Sequence, residues 1–172
     1  MFLNQIIYFI INNTIKKKLT DSLPDFNSNM IKKIGILIDQ STFSKSEAVV
    51  KELVDKGFDA NEIVILVYKD KIYKNEIIGC ASYSSKDLNW SGNFANADVN
   101  YFIDQKFDLL INYYENEKLP LLQVSNLSKA RFKVGFSEID KRINHFIIST
   151  AASNHKIFIA ELFKYLKILK KI

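Results

Sequence analysis

Two sets of residues carry groups that could do chemistry. The first is Asp39, Gln40, Ser41 and Thr42, in the run "IDQSTFSKS", with Tyr113, Glu115 and Ser149 further along the chain. Carboxylates beside hydroxyls are the raw material of an acid–base or ligand-binding site. The second is Lys129, Arg131, Lys133, Lys141 and Arg142, within "SKARFKVGFSEIDKRINHF". Five cations around a short apolar run could meet phosphate, on a small ligand or along RNA. Two histidines and the single Cys80 exclude an internal disulfide, a cysteine-based zinc cluster and a His-rich metal site.

Known motifs narrow the chemistry further. The loop after Asp39 has no glycine before Gly57, so it lacks the Gly-rich turn that lets backbone approach a pyrophosphate. The P-loop and the Gly-x-Ser-x-Gly elbow are absent. Ser41, His145 and Asp39 form a triad on paper only, since any chain of this size offers such triples. Asp39 and Glu115 could hold magnesium through carboxylates, but two solvated carboxylates at strand ends is the plainer reading. No metal and no cofactor is therefore expected. His145, just before a strand, is expected to satisfy a backbone partner. Trp90, in "KDLNWSGNF", is expected to close an ordered loop over the core.

These residues need elements to position them. "KKIGILID" is a continuous apolar run ending at Asp39, the mark of a strand buried on both faces. "STFSKSEAVVKELVDKGF" follows as a helix, with a capping box expected from Ser44 and Glu47 and a stop at Gly57. "NEIVILVYK" completes a βαβ unit. "EIIGCASYS" is a candidate third strand. Asn96 should cap the helix "ADVNYFIDQ". "FDLLINYY" is a buried strand, and "EKLPLLQVSNLS" a helix with Pro120 in its first turn. "RFKVGF" and "NHFIIST" are short strands, and "NHKIFIAELFKYLKILKKI" is a closing helix.

Strands and helices alternate about six times, so the expected fold is α/β: a Rossmann-like three-layer domain with a mostly parallel sheet of five to six strands. That domain should occupy residues 32–172. In a Rossmann-like order the strand ending at Asp39 lies beside the strand ending at Asn112. The crevice beyond their carboxyl ends would then gather Asp39, Gln40, Ser41, Thr42, Tyr113, Glu115 and Ser149.

Residues 1–31 read differently. "MFLNQIIYFIINNTIKKKL" spaces Leu3, Ile6, Ile7, Ile10 and Ile11 as an amphipathic helix over 2–19, and a polar linker follows. Its apolar run is too short to span a bilayer, and its lysines stand on the wrong side for a signal peptide. Packing on the domain or on a second copy, as a homodimer, is the expected role. Contact with a membrane surface is the less favoured one. The 172 residues carry a formal net charge of +5, too mild to mark a dedicated nucleic-acid binder.

"KKIGILIDQSTFSKSEAVVKELVDKGF", "KDLNWSGNF", "FDLLINYY", "KARFKVGFSEIDKRINHF" and "ELFKYLKIL" together resemble an uncharacterised family of small proteins from Bacteroidota, a domain of unknown function. The resemblance spans nearly the whole chain. It implies a cytoplasmic bacterial protein and no particular activity. The stretch "FDLLINYYENEKLPLLQVSNLSKARFKVGF" is also similar to the first half of heptosyltransferase-type glycosyltransferases. Those enzymes hold a sugar nucleotide mainly in a second Rossmann-like half, for which this chain has no room. That likeness therefore implies a fold rather than an activity.

The expectation that follows is a non-catalytic binding module docking on a protein or RNA partner. The alternative is a small enzyme or sensor that binds a nucleotide or sugar-nucleotide at the strand-end crevice.

Overall fold

The run IGILID is apolar up to its aspartate, and it forms β1 (Ile34–Asp39), buried along its whole length. A computed structural model describes residues 30–72 and 80–172, together with positions 5, 8, 9 and 13. After β1 come α1 (Ser46–Asp55), β2 (Ile63–Tyr68), β3 (Ser82–Tyr83), α2 (Ala97–Asp104) and β4 (Leu109–Tyr113). Then follow α3 (Leu119–Leu127), β5 (Phe132–Phe136), β6 (Phe146–Ile148) and α4 (His155–Ile168). The strands pair in parallel in the order β3-β2-β1-β4-β5-β6. The chain winds outward through β2 and β3, returns to the other side of β1, and winds outward again. This is the Rossmann-like α/β arrangement that the alternation predicts. The reversal falls between β1 and β4, where Leu37 pairs with Asn112 and Ile38 with Tyr113.

Strand periodicity then sorts the core into two layers. Ile34, Ile36, Ile38, Ile111, Tyr113 and Phe136 pack against α1 and α4. Leu37, Leu66, Leu110 and Tyr114 pack against α2 and α3. The first layer centres on Tyr113, whose ring lies 4.9 Å from Phe43, 5.0 Å from Phe136 and 5.2 Å from Phe158. Burying one such ring stabilises the fold by roughly 1.5–3 kcal/mol.

Several local signals act as their residue types dictate. Asn96 accepts from the backbone N–H groups of Asp98 and Val99 and so caps α2. Pro120 occupies the first turn of α3. Gly57, at φ 102°, closes α1: its N–H donates to Val54, and the Phe58 N–H donates to Leu53.

The expected Ser44–Glu47 capping box does not form. Phe43 is drawn into the core, so α1 begins only at Ser46, and its N-cap is Lys45 with no side-chain bond. The third strand is short, because only Ser82 and Tyr83 pair with β2. Part of "EIIGCASYS" lies outside the described residues. So do nearly all of the 2–19 segment and the linker's first residues, and with them the dimer and membrane roles expected of that segment.

The β5–β6 crossover carries no helix. Residues 137–145 cross as turns, with Ile139 and Ile143 packed in the same layer as α2 and α3. Among the described residues, no helix is long and apolar enough to cross a membrane.

Candidate functional site

Asp39 and Ser41 meet in the turn after β1, and the β1–β4 reversal brings to them a residue that the motif reading passed over. Asp39 is fully buried. Its Oδ1 accepts from the Ser41 N–H at 3.0 Å and from Ser41 Oγ at 2.7 Å. Lys118, at the N-cap of α3, reaches in from the loop after β4. Its Nζ lies 3.0 Å from Asp39 Oδ2 and donates to Ser41 Oγ at 2.7 Å and to Asp70 Oδ1 at 2.9 Å. It also lies 5.0 Å from the centre of the Tyr68 ring. One ammonium thus joins the loops after β1, β2 and β4. Burial alone would lower the Lys118 pKa, but its bonds to Asp70 and Asp39 outweigh that and raise it. The same bond, with Lys118's charge, holds the Asp70 carboxyl below its ordinary value.

Of the other expected crevice residues, Gln40 and Thr42 stay beside Asp39, while Tyr113 and Glu115 turn to the loop after β6. Tyr113 is buried, and its hydroxyl donates to the Ala152 carbonyl at 2.6 Å. Burial and the nearby Glu115 charge push its pKa well up. Glu115 Oε1 accepts from the Ala152 N–H at 2.7 Å, so both residues fasten the loop after β6. Ser149 meets Ser137, hydroxyl to hydroxyl, at 3.4 Å. Gln40 is exposed, and its N–H donates to the Tyr68 carbonyl. Thr42 Oγ1 donates back to the Asp39 carbonyl at 3.2 Å. Phe43 packs between the two groups, against Tyr113 and 5.9 Å from the His155 ring. Phe43 thus fills core space beside Tyr113, and the loop after β1 has no glycine to let a phosphate approach its backbone. Asp39 is engaged by Ser41 and Lys118 and Glu115 by Ala152, and no group of three or more His, Cys, Asp or Glu among the described residues could hold a metal.

The basic stretch is divided. Lys129 and Arg131 precede β5, at the amino edge of the sheet, while Lys141 and Arg142 follow it in the crossover. Lys129 pairs with Asp104 at 2.6 Å and Arg131 with Asp108 at 3.5 Å. Arg142 clasps Asp140, whose carboxyl it holds below the ordinary range. Lys141 is exposed. Lys133 is buried at 7% exposure, and its ammonium donates to the Ser125 carbonyl under α3. Arg131 lies just before β5, and Lys133 within it is covered by α3. Asn112, Ser125, Tyr114 and Asn144 complete a buried polar network there, through bonds of 2.7–2.8 Å. His145 Nδ1 accepts from the Lys133 N–H at 3.0 Å, the backbone role expected of it. Partial desolvation and the Lys133 charge lower its pKa to about 4, although the residue as a whole is exposed.

Trp90 reverses the expectation made for it, since it is 70% exposed. Tyr83 and Phe94, edge to face at 5.7 Å, hold the core position beneath the loop instead. The loop itself is firmly built. Leu88 and Phe94 bridge its base, and Asn89 Oδ1 accepts from the Ser91 N–H, Ser91 Oγ and the Asn93 N–H at 2.7–3.0 Å. Gly92, at φ 81°, makes the turn, and its carbonyl accepts from buried Gln123 on α3 at 2.7 Å. An ordered loop was legible in the sequence. The long-range Gln123 bond that anchors the loop has no local pattern in the sequence, and neither does the outward tryptophan.

No curated protein and no solved structure matches this chain. The sequence model of a family of unknown function matches residues 4–169, nearly the whole length, in keeping with the resemblance noted above. The chain belongs to that family, DUF6913.

Proposed function

We propose that this chain is a non-catalytic binding module of the bacterial cytoplasm that docks on a protein partner through the 88–94 loop. The exposed Trp90 carries the reading. Tryptophan is enriched among the few residues that dominate interface energies, and a pre-ordered loop loses little entropy on binding. Two further observations support a partner over a small ligand. Lys118 spends its ammonium on Asp39, Ser41 and Asp70, and Phe43 fills the space beside Tyr113. Protein is favoured over RNA because the basic stretch is divided, with Lys129 and Arg131 before β5 and Lys141 and Arg142 after it, and because Lys133 within it is buried.

Affinity capture from a cytoplasmic extract tests this, using the native chain, Trp90→Ala and Lys129→Glu/Arg131→Glu side by side. The native chain and the charge-reversal variant should retain one protein partner that Trp90→Ala loses, all three melting alike. Loss in the charge-reversal variant alone would overturn the loop reading in favour of RNA or an acidic partner. The crevice alternative draws on the charged cluster at the β1–β4 reversal. It requires Lys118 to exchange Asp39 or Asp70 for a ligand phosphate. A rise in melting temperature with nucleotides or sugar-nucleotides, abolished by Lys118→Met, would favour it.

A further inference from the structure

Most of the chain's net positive charge falls on α4 and the four residues after it. From His155 to Ile172 there are five lysines (156, 164, 167, 170 and 171) against the single Glu161, a surplus of four in a chain whose net charge is +5. Neighbouring α1 is balanced, with Lys45, Lys51 and Lys56 against Glu47, Glu52 and Asp55. The inner face of α4 is spoken for: Phe158, Ile159, Leu162, Phe163 and Leu166 are all buried in the core. Its outer face is not simply polar. Ile157 is 54% exposed and Ile168 is 65% exposed. At spacings of seven and eleven residues, Ile157, Lys164 and Ile168 fall on one line along the helix. The two isoleucines stand about 16 Å apart on that line. Lys164 contacts Glu161 at 3.5 Å, an exposed pair that bulk anionic charge can replace. Tyr165 belongs to the fold, because its ring packs on Phe146 at 4.3 Å.

We infer that the outer face of α4 is a docking surface for an anionic lipid bilayer. The lysines supply attraction to negative headgroups, and Ile157 and Ile168 enter the headgroup–acyl boundary. RNA would satisfy the lysines but give the two isoleucines nothing to bury against. A bilayer surface can satisfy both at once, with anionic headgroups for the lysines and the acyl boundary for the isoleucines. The surface is separate from the 88–94 loop, so the two proposals stand or fall independently.

Vesicle co-sedimentation tests it. The native chain is mixed with phosphatidylcholine vesicles, or with vesicles of equimolar phosphatidylcholine and phosphatidylglycerol, at low and high salt. It should sediment with the anionic vesicles only, and less as salt screens the charges. Ile157→Ser/Ile168→Ser and Lys156→Gln/Lys164→Gln/Lys167→Gln should each weaken partition about ten-fold or more. If the double serine variant melts early, Ile168→Ser alone, at the last turn, keeps the comparison valid. No sedimentation with anionic vesicles overturns the inference, as does partition that neither variant changes. Partition that needs the lysines but not the isoleucines also overturns it, because α4 would then be a general polyanion surface.

Discussion

Lys118 spends its N–H donors on groups from two other loops, and the carboxylate at the centre of that cluster is out of contact with water. Removing one partner of a buried pair leaves the other charge uncompensated. Lys118→Met should therefore cost about 3 kcal/mol in urea unfolding, and Asp39→Asn/Lys118→Met should recover most of it. An unchanged unfolding midpoint in the single variant would show that the ammonium is incidental. His145 gives a pH signature. Its folded pKa of about 4 lies below the ordinary 6.5, so the unfolded chain takes up the proton first as pH falls. Its stabilising contribution is complete above pH 6.5, declines down to about pH 4 and is then gone. His145→Gln should flatten the stability profile across that window. Asp70 and Asp140, held below the ordinary 3.8 by Lys118 and Arg142, act only at lower pH.

At the scale of elements, β5 and its crossover depend on a close approach. A Cβ added at Gly135 would stand 2.4 Å from Asn144 Nδ2, and Asn144 is held by its bond from Asn112. Gly135→Ala should destabilise the fold by about 1–3 kcal/mol through overpacking. Gly135→Ala/Asn144→Ala should cost less than the two single changes summed, which a double-mutant cycle measures. The elements themselves were largely legible. "IGILID" and "LLINY" read as strands because apolar residues fill both faces, and Asn96 and Pro120 mark helix starts by their own chemistry. Side-chain reach was not legible. Lys118 and Asp39 are 79 positions apart, and only the strand order brings their loops together. Lys133 reads as a rim cation in sequence but is covered by α3, a tertiary contact that alternation along β5 cannot reveal.

For the molecule as a whole, the Rossmann-like order places the loops after β1, β2, β3 and β4 at one edge of the sheet. That edge was the expected home of the site on an assumed Rossmann-like order; the order itself is a long-range pairing that the positions of Asp39 and Asn112 do not fix, and the structure supplies it. What occupies the edge was not legible either: Lys118 and Phe43 pack among the expected crevice residues, and the 88–94 loop holds Trp90 outward. Trp90 is the chain's only tryptophan, so its fluorescence reports this loop alone. The most direct measurement is therefore the emission and acrylamide quenching of the native chain, free and with the captured partner. The docking account predicts the emission of a water-exposed indole, freely quenched in the free chain, then blue-shifted and protected in the complex. Emission that is already blue-shifted and protected in the free chain, or unchanged when the partner binds, would contradict it.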